Sequence, residues 1–273
     1  MCMEENKQVS TPTEAELERE RALADPDHPI HHERVTKAIP EGYTSRQLYN
    51  DVIQIAWPSC VELLLTQLAS MVDLMMVGQL GAWALTSVGL STQPKFLVMT
   101  MFMALNVGAT AMVARFKGAG DQENANVILR QALVLSLILS TIAAVVGYIF
   151  APQLIQFMGS TEEATLIGGT QYLRIQMIGI PAVALTSVVT ATMRGIGNSR
   201  IAMIYNIIAN VVNVIFNYLL IGGNLGFPRL EVVGASLATI LGQFVAFGIA
   251  VYMILRPKSY LRIKRGDSFK FDL

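Results

Sequence analysis

Apolar residues gather along this chain into six long runs, at about residues 52–77, 83–114, 127–150, 166–192, 201–221 and 233–255. Each reaches ~20 residues or more, enough to cross a hydrocarbon core about 30 Å thick at about 1.5 Å of helical rise per residue. The pattern predicts an all-α membrane protein, a bundle of six transmembrane helices. The second and fourth runs are longer than one crossing needs, which predicts tilt, kinks or extension past the bilayer. Pro58, Pro94 and Pro181 lie inside runs, where a missing backbone donor predicts bends.

Polar residues inside these runs are few and ordered. The fifth carries Asn206, Asn210, Asn213 and Asn217 at i, i+4, i+7 and i+11. On a helix those positions fall within roughly 60° of one another, a single stripe. Such a stripe faces a partner helix or a watery cavity, because an amide turned to lipid has no partner. Asn206 and Asn210, nearer one end, read as links between helices, with Asn210 also a cavity candidate.

Acidic residues sharpen the picture. Only Glu62 and Asp73 fall within a run, both in the first, and with Thr66 they share one helical face. An ionisable group at membrane depth is expensive to bury and is a functional candidate by default. Asp73 lies about four residues before the end of its run. Asn217 and Asn213 lie four and eight before the end of theirs, and Thr239 about six after the start of the sixth. If successive runs alternate in direction, all four sit roughly 6–12 Å below the same surface. Tyr172, early in the fourth run, reaches a similar level. A carboxylate, two amides, a hydroxyl and a phenol at one depth suit a hard cation such as sodium, which takes several oxygen ligands. A proton would use Asp73 alone. Glu62, Thr66, Lys95 and Asn210 are the further candidates for a cavity that receives substrate. Lys95 has three options: to run outward to the headgroups, to pair with a carboxylate, or to point into the cavity. The first has the lowest cost. Arg174 lies close enough to a boundary to run outward.

The basic residues set a direction. Seventeen of the 20 Lys and Arg fall in the N-terminal tail, in the second connection or the first turn of the run after it, in the fourth connection, or after the sixth run; the other connections hold only Arg229. The positive-inside rule then places both termini in the cytoplasm of a multi-pass plasma (inner) membrane protein. Residues 1–47 read as a largely disordered cytoplasmic tail, with a short helix after Thr13. Residues 48–257 form the six-helix lobe, and 258–273 a cytoplasmic amphipathic connector.

Composition adds exclusions. The chain has 273 residues, 53% hydrophobic, and zero formal net charge, which points to no nucleic-acid partner. Cys2 and Cys60 suggest no disulfide framework, and His28, His31 and His32 read as tail residues rather than a metal site. No phosphate loop, zinc spacing or nucleophile elbow is present, so the chain does not read as an enzyme and calls for no cofactor beyond a coupling ion. The fourteen methionines read mainly as packing residues, a minority giving an adaptable lining for apolar ligands.

Several stretches carry a family resemblance. "AWPSCVELLLTQLASMVDLMMVGQLG" resembles the first helix of the multidrug and toxic compound extrusion (MATE) family, with a proline and then an aspartate before a Val-Gly-x-Leu-Gly exit. "ALNVGATAMVARFKGAGDQENAN" is similar to the family's second helix and basic loop. "MRGIGNSRIAMIYNIIANVVNVIFNYLLIGG", followed by "GASLATILGQ", is similar to helices four to six. The resemblance covers roughly residues 46–273. It implies a cation-coupled antiporter with two six-helix lobes around a central cavity, exporting organic cations and other amphipathic compounds on sodium or proton gradients. It carries the first-lobe cation site onto Asp73, Asn213, Asn217, Thr239 and Tyr172. Some members have an aspartate where this chain has Asn217, so one charge is missing here. Lys95 lies outside the general family pattern. The chain stops after "SYLRIKRGDSFKFDL", where the family continues into a second lobe. The expected partners are therefore the lipid bilayer, small amphipathic substrates, and a missing second lobe or a second copy. Truncation is the favoured expectation. A lipid-precursor flippase and a non-transporting membrane fragment or assembly partner are the alternative readings.

Overall fold

The computed structural model describes residues 45–160, 162–256 and 260–261. Residues 1–53 and 54–273 form two separate units; the first is described only as the opening turns of a helix, and the second holds the bundle. The helix expected after Thr13, the three histidines, Cys2 and most of the expected 258–273 connector lie outside the described residues.

Among the described residues there are seven α-helices and no strand. They are α1 (Ser45–Gly78), α2 (Ala82–Gly118), α3 (Gln122–Ile149), α4 (Ala151–Phe157), α5 (Glu163–Gly195), α6 (Ser199–Gly222) and α7 (Glu231–Leu255). All but α4 contain a segment long and apolar enough to cross a membrane, within a few residues of the runs predicted from the sequence.

Breaks between helices have local causes. At Gly120 the backbone turns left-handed (φ +75°), and the Asp121 N–H reaches back to Phe116 O at 2.9 Å, closing α2. Asp121 then caps α3, accepting from the Asn124 N–H at 3.0 Å. That backbone hydrogen bond, with a second from the Asn124 side chain, holds the Asp121 carboxyl below the usual carboxylate range. The same device recurs after α5. Gly197 (φ +80°) lets the Asn198 N–H bond Met193 O at 2.9 Å. The break between α3 and α4 has a different origin. Pro152 has no N–H to offer the Tyr148 carbonyl four residues back. That carbonyl instead lies 3.4 Å from Arg174 Nε, and the Arg174 guanidinium stacks 5.3 Å from the Tyr148 ring. Arg174 is thereby tied to α3.

α5 is the helix most enclosed by its neighbours. Leu173, Met177, Ile180 and Ala184 of α5 pack with Phe102 of α2 and Ile155 of α4. Further along, Val189 and Met193 join Val113, Leu129 and Ile254, and Leu261 folds back to complete that cluster. In lipid, helices gain little from apolar burial alone, so close backbone approach and interhelical hydrogen bonds carry more weight. Ser91 Oγ of α2 lies 3.1 Å from Gly169 O of α5, and Thr110 Oγ1 lies 3.0 Å from Ala191 O. Gly195 lets α5 pass against Thr110, since a Cβ there would sit 2.8 Å from that residue's carbonyl oxygen. α6 and α7 pair the same way. A Cβ on Gly234 would meet Leu220 O at 2.6 Å, and one on Gly242 would meet Ala209 O at 2.7 Å. These contacts fix the spacing of α6 and α7, and so the place of the polar side chains between them.

Candidate cation and substrate site

The asparagine stripe of α6 faces other helices along its whole length. Each of its four amides has a polar partner on α1 or α7. They sort into two clusters at opposite ends of the bundle, with Asn210 between.

The first cluster surrounds Asp73, one turn before the end of α1. Asn217, fully buried, donates from Nδ2 to Asp73 Oδ1. The orientation of the Asn213 amide that satisfies its surroundings points Nδ2 at both Asp73 oxygens, 3.0 and 3.1 Å away. Its carbonyl oxygen then lies 3.3 Å from Thr239 Oγ1 of α7. Tyr172 of α5 turns its hydroxyl toward Thr239 and Gln176. The five residues expected at one depth are thus brought together by four helices. Asn217 Oδ1 is buried with no hydrogen-bond partner among the described residues. An orphaned oxygen beside a carboxylate is expensive in a low-dielectric interior and is suited to a cation. Such a set suits an oxygen-liganded ion once the amides turn their oxygens inward, and a proton would bind to Asp73 itself.

Asp73 lies at one wall of a cavity of about 220 Å³. Thr66 and Ser70 line it from α1, Asn210 from α6, and Gln243 from α7. Asn210 Nδ2 lies 3.2 Å from Thr66 Oγ1, so this candidate both links α6 to α1 and borders the cavity. Lys95 of α2 lines it too, and donates from Nζ to Gln176 Oε1 at 2.9 Å. Lys95 therefore does not run outward. Gln176, 4% exposed, supplies a fixed acceptor inside, and Asp73 supplies opposite charge.

The second cluster lies toward the other end. Glu62, 8% exposed, accepts from Arg194 Nη2 at 2.7 and 2.8 Å and from Asn206 Nδ2 at 2.6 Å. It lies outside the cavity lining and joins α1 to α5 and α6. Beside it, the Tyr205 and Thr190 hydroxyls are hydrogen-bonded. Asn206 is a link between helices, as its position suggested.

Sequence reasoning passed over Gln176, Gln243 and Arg194. The first two carried a signal. Each stands four residues after an expected member, Tyr172 or Thr239, and so on the same helical face. Arg194 was counted only as a boundary charge.

The comparisons with known proteins agree on one relationship. The MatE family profile matches residues 58–219. A "Probable multidrug resistance protein NorM" of Thermotoga maritima is 28% identical over 220 residues, which are 81% of this chain and 47% of that protein. A "FAD transporter" of Shewanella oneidensis is 26% identical over 78% of this chain and 47% of its own. "Multidrug resistance protein PmpM" of Pseudomonas aeruginosa is 31% identical over 74% of this chain and 42% of its own. Among solved structures, an outward-facing multidrug resistance MATE transporter of the MOP superfamily superposes with a TM-score of 0.72 at 25% identity. That match covers 78% of this chain and 47% of the other. A MOP superfamily transporter from Pyrococcus furiosus, described by a reversed polarity of its binding pocket, gives the same score. The chain spans about half the length of the curated relatives it matches.

Proposed function

This chain belongs to the MatE family, and from that premise we infer that it forms the first lobe of a cation-coupled exporter of amphipathic organic compounds. The observation that carries the reading is Asp73, held at the cavity wall by Asn213 and Asn217 with Thr239 behind them. Names of the relatives support the substrate class: multidrug resistance in most, FAD in one.

The mechanism follows from what the cluster joins. Asp73 is on α1, Asn213 and Asn217 on α6, and Thr239 on α7. A cation or proton arriving at Asp73 changes which amide groups face the carboxylate. α1, which carries Pro58 within it, then shifts against α6 and α7. Such a shift drives transport only if the cation binds one arrangement better than the other. In alternating access the substrate enters from the cytoplasm, and cation arrival from outside releases it outward. Both termini lie in the cytoplasm of a plasma (inner) membrane in this account, which rests on the distribution of Lys and Arg. The rest of the central cavity comes from a second six-helix lobe or a second copy of this one.

The test is transport by the full-length protein in proteoliposomes loaded with a fluorescent organic cation. A sodium or proton gradient imposed across the membrane is expected to accelerate dye movement against that gradient. A rate independent of both gradients would overturn the reading.

A further inference from the structure

Lys95 has no part in the mechanism just given, yet it is the cationic side chain in the lining of this cavity. Its setting is unusual for a charge whose task is to neutralise Asp73. The two feel each other's charge but form no direct ion pair. Asp73 takes its hydrogen bonds from Asn213 and Asn217, and Lys95 gives one to Gln176 Oε1. Each charge is thus held by an uncharged amide on its own side. An ammonium has three donors, and the contact with Gln176 uses one of them. The cavity, at about 220 Å³, is below the size that encloses a whole drug-like molecule, but it accommodates a polar head group.

We propose that Lys95, anchored by Gln176, is an anion-binding subsite of this cavity, so that the transporter takes amphoteric organic compounds, their carboxylate at Lys95 and their cationic part toward Asp73. The inference rests on the transport reading above and deepens it. The carboxylate adds affinity that a purely cationic compound lacks.

Two dyes with the same xanthene body separate these ideas. Rhodamine 110 carries a free carboxylate, and rhodamine 123 is its methyl ester. Binding is read by fluorescence anisotropy on the full-length transporter in lipid nanodiscs. Wild type is expected to bind rhodamine 110 about tenfold more tightly, in line with one charge-assisted hydrogen bond. Lys95→Gln should abolish that preference while still binding rhodamine 123, and Lys95→Arg should keep it. Equal binding of both dyes by wild type overturns the anion subsite and needs no variant to fold. A preference that survives in Lys95→Gln also overturns it. If wild type binds neither dye, the substrate-cavity reading fails, and the subsite with it.

Discussion

Cells expressing the full-length transporter with Asp73→Asn are expected to retain a fluorescent organic cation to the level of cells without the transporter. The substitution keeps size and shape and removes the charge. Asn213 and Asn217 both donate to that carboxylate, so an amide in its place leaves donors facing donors or forces rotation of the side chains. Losing the carboxylate of this cluster is expected to weaken cation binding by roughly 3 kcal/mol, or about 100-fold. At that loss a physiological gradient no longer distinguishes the two arrangements of the bundle. Asn206→Ala belongs to the other cluster and is expected to raise retained dye only in part. Equal export by wild type and Asp73→Asn would defeat the coupling role of Asp73.

The largest effect on stability is expected at the opposite end of the bundle. Arg194→Met removes the guanidinium that spans both oxygens of Glu62. Glu62 is nearly enclosed and would keep only Asn206. A charge left buried without its partner destabilises by about 3 kcal/mol, somewhat less here because the Arg194 side chain is itself 38% exposed. Adding Glu62→Gln to Arg194→Met should recover at least half of the loss, because the orphaned charge is gone. Denaturant unfolding of the purified protein in detergent checks this as a double-mutant cycle. Simple additivity of the two single losses would show that the pair is not coupled.

Much of this was legible before any coordinates. Hydrophobic runs mark the six spans because a crossing helix has to satisfy its backbone internally and cover itself with apolar side chains. The asparagine stripe and the depth of Asp73 are legible for the same reason, since periodicity and rise per residue fix face and height. What was not legible depends on pairing between helices. Arg194 reads as a boundary charge until α1 is seen to bring Glu62 beside it. Lys95 reads as running outward until Gln176 is found across from it on α5, because outward and inward placements differ only by whether an acceptor waits inside. The separate α4 turns on one missing N–H at Pro152, within a stretch whose apolar pattern continues past the break.

Infrared difference spectroscopy of the purified full-length transporter addresses the central claim most directly, because it sees the carboxyl itself. Spectra taken with and without sodium, and across a pH step, should contain a carboxyl band that is absent from Asp73→Asn. A shift on adding sodium at constant pH would assign sodium as the ion; loss and gain of the protonated band with pH alone would assign the proton. Spectra of wild type and Asp73→Asn that match under both perturbations would contradict the account.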